Sequence, residues 1–152
     1  MNGRTRKRSK SEKQSSSHNN TYTGLYGTIP ETIEAVKARL DEIFSDCNDF
    51  IQREISCGKN SLIRILIAYI DGFVDKRVLN QDVVHPILDF FSNTELHEGS
   101  HIYEQLKGCV VINSDIKEAN NIQRAVHGIV SGEALLFIDG EDKALIIGVK
   151  AP

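Results

Sequence analysis

The stretch Ala134-Leu135-Leu136-Phe137-Ile138-Asp139-Gly140-Glu141-Asp142-Lys143-Ala144-Leu145-Ile146-Ile147-Gly148-Val149 decides the fold. Two apolar runs, each too short for an ordinary helix, flank a polar segment headed by Asp-Gly. Runs of that length bounded by turn residues read as strands. Asp139 to Lys143 supplies a hairpin-like turn between strands 134–138 and 144–149. Immediately upstream, Gly132 is a fitting C-terminal cap for a helix over 115–131, marked by Ile116, Ala119, Ile122, Val126, Ile129 and Val130. Cys109-Val110-Val111-Ile112 reads as a short strand, which makes helix 115–131 a right-handed crossover between parallel neighbours.

Further from that block, Ser61 to Ile70 is rich in Leu and Ile, as a buried strand would be. Asp49 to Ser56 alternates weakly and forms its hairpin partner across the turn Gly58-Lys59-Asn60. Ile29, Ile33, Val36, Leu40, Ile43 and Phe44 recur at helical spacing, so 30–46 is an amphipathic helix with Pro30 in its first turn. Glu31 and Glu34 suit the positive end of that helix dipole. Val83, Val84, Ile87, Leu88 and Phe91 mark another helix, which Pro86 must kink or restart. The stretch 93–107 is poorly patterned, with room for one short helix. The order predicts an α/β domain, a small mixed β-sheet of about five strands flanked by helices.

Composition sets the outer limits. The chain has 152 residues, 40% apolar and 26% charged, the profile of a globular protein with one real core. The net charge of −3 divides into +5 over residues 1–20 and therefore −8 over the rest. Residues 1–28 are basic, Ser- and Asn-rich and almost without apolar side chains, so they are expected to be a disordered tail preceding a domain over 29–152. The tail reads as a solvated leader; contact with an anionic membrane surface or with nucleic acid are the sharper alternatives. Cys47, Cys57 and Cys109 are odd in number and lack C-x-x-C spacing, which fits a reducing compartment. The longest apolar stretch, Leu62 to Val74, is broken by Arg64 and Asp71 and falls short of a bilayer span. No apolar core marks a signal peptide.

Candidate chemistry is sparse. His97-Glu98-Gly99-Ser100-His101 matches H-E-x-x-H, which on a helix places two imidazoles on one face as zinc ligands. Gly99 and Ser100 are poor helix residues and no third ligand follows, so the match reads as coincidence and no metal is assigned. Cys57-Gly58-Lys59-Asn60-Ser61 hints at a phosphate loop, but Arg53 and Asn60 occupy positions that need Gly and Ser or Thr. More informative is a near-repeat. Tyr69-Ile70-Asp71-Gly72 leads to Asp75-Lys76, and Phe137-Ile138-Asp139-Gly140 leads to Asp142-Lys143. Asp-Gly after a strand is good turn chemistry, and a carboxylate at a strand end can also serve as a ligand. Tyr69, Asp71, Gly72, Asp75, Lys76, Phe137, Asp139, Gly140 and Lys143 are therefore the candidate structural or interaction motif. No nucleophile, base and orienting group assemble around it, and no catalytic residue or cofactor is assigned.

Ordered along the chain, Ile29-Pro30-Glu31-Thr32, Asp49-Phe50-Ile51-Gln52-Arg53-Glu54, Tyr69 to Lys76, Gly132 to Gly140 and Lys143-Ala144-Leu145-Ile146-Ile147 resemble the A-subunit family of GerA-type spore germinant receptors. The resemblance covers all but the tail. It implies the first of two small α/β subdomains, on the cytosolic (core) side of the spore inner membrane, ahead of a membrane-spanning part. It implies partnership with B-type and C-type receptor subunits, homo-oligomerisation through the full-length protein, no nucleic acid, and a part in nutrient-triggered ion release rather than catalysis. A related spore-membrane channel protein of the dipicolinate-release system shares that architecture, and a small-molecule-binding α/β module at Asp71 and Asp139 is the alternative of another class. The basic leader and the 93–107 stretch depart from the family pattern.

Overall fold

A computed structural model of the chain describes residues 27–97, 101–111, 114–149 and 151. The expected tail over 1–28 therefore lies outside the described residues except for its end. That end belongs to the fold. The Ile122 amide donates to the Gly27 carbonyl (2.9 Å) and Thr28 bridges to Asn121.

Helix α1 spans Ile33–Ile43 and is followed by β1 (Phe50–Cys57) and β2 (Ile63–Ile70). A helical run then comprises α2 (Lys76–Leu79), a π-helical turn (Asn80–Val84) and α3 (His85–Phe90). After it come α4 (Ile102–Val111), β3 (Ile116–Ala119), α5 (Ile122–Val130), β4 (Ala134–Ile138) and β5 (Ala144–Ile147). The five strands form one sheet in the order β1-β2-β4-β5-β3.

The α/β class, the five strands and the flanking helices are as the sequence implies. The sheet, however, is antiparallel in all four pairings rather than mixed. The difference traces to residues 109–119. Cys109 to Val111 close helix α4 instead of forming a strand, because Ile102, Tyr103, Leu106 and Val110 bury a helical stripe. Ile112 lies outside the described residues. The strand falls at Ile116–Ala119, inside what reads as the start of a helix, and α5 begins later, at the Asn121 N-cap, whose Oδ1 accepts from the Arg124 amide at 2.8 Å. β3 and β4 still run in one direction with α5 between them, but β5 sits between the two strands and pairs with both.

Why the strands read as continuous apolar runs is now evident, since helices cover both sheet faces. On one face Ile63, Ile65, Ile67 and Tyr69 of β2 join Ala134, Leu136 and Ile138 of β4 against the α2–α4 side. On the other, Leu66, Ala68 and Ile70 join Leu135 and Phe137 against α1 and α5. Buried on both sides, an antiparallel strand loses the polar alternation that usually distinguishes it.

Local signals set the helix limits. Pro30 precedes α1 rather than opening it; Thr32 is the N-cap, accepting from the Ala35 amide at 3.2 Å. Pro86 restarts the second run as expected. It has no amide to donate, and upstream of it the turn widens so that the His85 amide reaches the Asn80 carbonyl. At the end of α5, Gly132 has φ +94° while Glu133 and Gly132 donate to the Gly128 and Ile129 carbonyls, a Schellman closure.

Candidate functional site

The two Asp-Gly turns end β2 and β4, and those strands are antiparallel neighbours, with Ile65 opposite Ile138 and Ala68 opposite Leu135. Asp71 and Asp139 therefore lie at opposite ends of the sheet. They do not share a crevice, which removes the geometry a joint ligand site at Asp71 and Asp139 would need.

Each turn has its own structural task. In the first, the Asp71 amide donates to Asp49 O (2.8 Å), Lys76 Nζ stands 3.2 Å from Asp71 Oδ1, and Gly72 adopts φ +92°. Asp75 caps α2, its Oδ1 accepting from the Arg77 and Val78 amides at 3.1 and 3.2 Å. Its own amide donates to Val149 O (2.7 Å), and the Ala151 amide donates to Phe73 O (3.0 Å), so the segment after β5 is strapped to this turn. Tyr69 is buried beneath it and Phe73 stands half exposed.

In the second turn, Asp139 Oδ1 accepts from the Ile33 amide at 2.8 Å, an N-terminal cap supplied from the far end of the sequence. Its Oδ2 lies 3.7 Å from Arg64 Nη1. Gly140, with φ +97°, donates to Glu31 O at 2.7 Å. Phe137 is fully buried below, and Lys143 Nζ sits 4.6 Å from the Tyr103 ring centroid. Asparagine caps helices as well as aspartate, whereas alanine loses roughly 1 kcal/mol. Asp139→Ala is thus expected to lower stability by about 1–2 kcal/mol and Asp139→Asn by much less, read by urea denaturation. Equal losses in the two variants would refute the capping role.

Sequence reasoning missed the groups around these turns. Arg64 bonds Glu34 Oε2 (2.6 Å) and Glu54 Oε2 (3.0 Å) and so ties α1, β1 and β2 together. The Arg64 hydrogen bond holds the Glu34 carboxyl below its usual range. On the opposite layer the Tyr103 hydroxyl donates to Glu118 Oε2 at 2.6 Å, with Lys107 Nζ at 3.3 Å. Burial, then the bond to Glu118, pushes the Tyr103 phenol far up; the Tyr103 bond, then Lys107, holds Glu118 down. A carboxyl lowered by folding stabilises above its unfolded pKa of about 4.3, and that stabilisation is lost as pH falls through the lower folded value. Because Glu118 is partly solvated, the contribution is a few tenths of a kcal/mol. The stability gap between the parent chain and Glu118→Gln is expected to shrink on acidification from pH 6 to pH 3; a gap that widens would contradict the pairing. The signal in sequence was slight. Arg64 shows only as an interruption of an apolar run.

The remaining motifs resolve simply. His97 and His101 both precede α4, which starts at Ile102, so they are not one turn apart on a helix as H-E-x-x-H requires; residues 98–100 lie outside the described residues. Among the described residues no cluster of three His, Cys, Asp or Glu is placed to hold a metal. The Cys57–Ser61 loop joins β1 to β2. Gly58 has φ +81°, and a Cβ there would meet Ile63 Cδ1 at 2.8 Å and Thr94 O at 3.0 Å, so its glycine serves packing. Lys59 donates through its amide to Thr94 O (2.7 Å) and through Nζ to Glu95 (2.9 Å).

One surface cleft of about 320 Å³ lies between edge strand β3 and α5, lined by Lys117, Arg124, His127, Gly128, Ser131, Glu133 and Ile146. Among the described residues no helix is long and apolar enough to cross a membrane.

Comparison with known proteins gives a consistent picture. The family model for the Bacillus/Clostridium GerA spore germination protein matches residues 38–152. Spore germination protein KA of Bacillus subtilis is 26% identical over 99 residues, covering 65% of this chain and 18% of that protein. The uncharacterised membrane protein YfkQ of the same organism is 29% identical over 105 residues, covering 68% of this chain and 19% of its own length. The chain thus spans about a fifth of each relative. The crystal structure of the N-terminal domain of the A subunit of the Bacillus megaterium spore germinant receptor GerK3 superposes with a TM-score of 0.72 at 18% identity. That alignment covers 84% of this chain and 49% of the GerK3 chain, and it shows a common fold.

Proposed function

The chain belongs to the Bacillus/Clostridium GerA spore germination protein family, and on that premise we propose that it is the N-terminal domain of a germinant receptor A subunit. The observation that carries the reading is the family match through residues 38–152, joined to the fold shared with the GerK3 A-subunit domain. In this reading residues 29–152 form the first soluble subdomain and residues 1–28 its basic leader. The domain sits on the core side of the spore inner membrane and acts without catalysis. It supports assembly with B-type and C-type subunits and with further copies of the A subunit, and it couples nutrient arrival to ion release through a membrane part.

The Asp71–Lys76 and Asp139–Lys143 turns serve contacts within that assembly. Phe73, 48% exposed on the first turn, supplies an apolar anchor there. The decisive experiment is to sequence the source gene past the codon for Pro152. A second soluble subdomain followed by several stretches of about 20 apolar residues supports the receptor reading. A stop codon at that point would overturn it.

A further inference from the structure

The chain outside residues 1–20 carries −8, yet the cleft between β3 and α5 gathers cationic and donor groups. Lys117 lies opposite Ile146 across the β3–β5 ladder and so shares its sheet face, the one α5 packs on. Arg124 and His127 on α5 and Ser131 at its C-cap lie three, then four residues apart, along one flank of the helix. Gly128 lets that helix come close, since a Cβ there would meet Ile146 Cγ2 at 2.8 Å. Glu133 is the single carboxylate of the lining and pairs with Lys117 at 3.7 Å. Among the described residues Arg124 has no carboxylate partner.

From this arrangement we infer that the cleft binds a phosphoryl group, a role separate from the receptor-subunit reading. A guanidinium, an ammonium, an imidazole and a hydroxyl line one concavity. Four donor groups would take up all of the roughly four accepting sites of a carboxylate, and they match more closely the three terminal oxygens and near-double charge of a phosphate monoester. The volume of about 320 Å³ reaches the lower end of small-molecule sites, so the phosphoryl group arrives as part of a larger ester. An inward-facing lysine on an edge strand also discourages edge-to-edge pairing, which accounts for Lys117 but not for Arg124 or His127. The carboxyl end of α5 opposes an anion, but the amides of Ser131, Gly132 and Glu133 already occupy the carbonyls of His127, Gly128 and Ile129.

The same group can come from a soluble ester or from a phospholipid headgroup. The test uses the chain lacking residues 2–20, so that the basic leader carries no binding, at constant ionic strength. One arm is a pyrophosphate titration followed by amide NMR; the other is cosedimentation with phosphatidylglycerol vesicles. Lys117→Gln/Arg124→Gln serves as the variant in both, because the two side chains are exposed and lie outside the core, and circular dichroism checks that the variant folds. Saturable shifts at Lys117, Arg124 and Ser131, weakened at least tenfold in the variant, assign a soluble ester. Vesicle binding without a pyrophosphate response, again weakened at least tenfold, assigns a lipid headgroup. No saturable response in either arm, or one that survives undiminished in the variant, overturns the inference.

Discussion

Phe137→Ala is expected to cost about 3–5 kcal/mol of stability, the largest loss of any single substitution considered. The ring sits on β4, the central strand, opposite Leu66 and with no exposed surface. It packs in the layer formed by α1 and α5 with Leu40, Ile129 and Ile146. Truncation removes the apolar transfer free energy and leaves a cavity that three elements would have to move to fill. Strands on both sides of β4 prevent that movement, because their hydrogen bonds fix its position. For a fold of this size the loss corresponds to a fall in melting temperature of roughly 10–20 °C. Thermal unfolding followed by circular dichroism measures it. A loss below about 1 kcal/mol would mean that the α1–α5 layer collapses freely around the gap, contrary to the close packing described.

Gly128→Val is expected to cost about 2–3 kcal/mol, by the opposite mechanism of overpacking. Glycine in mid-helix ordinarily lowers stability by about 1 kcal/mol relative to alanine, so its presence in α5 needs a reason. Ile146 provides it, with Cγ2 and Cδ1 at 2.8 and 2.9 Å from where a Cβ would stand. Ile146 is itself buried on β5 and has nowhere to retreat. Valine adds further bulk and must push α5 off the sheet. Combining it with Ile146→Ala should recover much of the loss, so the double variant is expected to be more stable than the sum of its parts. Strict additivity in chemical denaturation would show that the helix does not lean on Ile146.

The sequence was most legible where polar punctuation is strong. Gly58-Lys59-Asn60 and Asp139-Gly140 bracket the hairpin strands, and β1, β2, β4 and β5 fall within a residue or two of where those signals place them. It was least legible between 102 and 119. Cys109-Val110-Val111 has strand-like composition, and what makes it helical is the stripe of Ile102, Tyr103, Leu106 and Val110 facing α3 and the sheet. Ile116 and Ala119 are three apart, as in a helix, but in β3 they point to opposite sheet faces. Both are apolar because each face is covered, with Ile116 in one layer and Ala119 in the other. A strand buried on two sides imitates a helix whenever its outward positions fall badly.

The turns themselves were readable from Asp71-Gly72 and Asp139-Gly140, but not what they hold. Asp139 caps a helix 106 positions earlier in the chain, a contact no local pattern encodes. The cleft was missed for a similar reason. Lys117 and the Arg124–Ser131 flank become neighbours only when β3 takes the edge beside β5, and the reading that placed both on one helix concealed it.

The position of β5 also sets a timetable for synthesis. Among the five strands of this sheet Ala144–Ile147 is the last to be synthesised, and it fills the gap between β4 and β3. Until it emerges, β3 has no strand to bond to, while β1, β2 and β4 can already pair. β1, β2 and β4 can therefore assemble a three-stranded sheet first, and β5 completes it by bonding β4 on one side and β3 on the other.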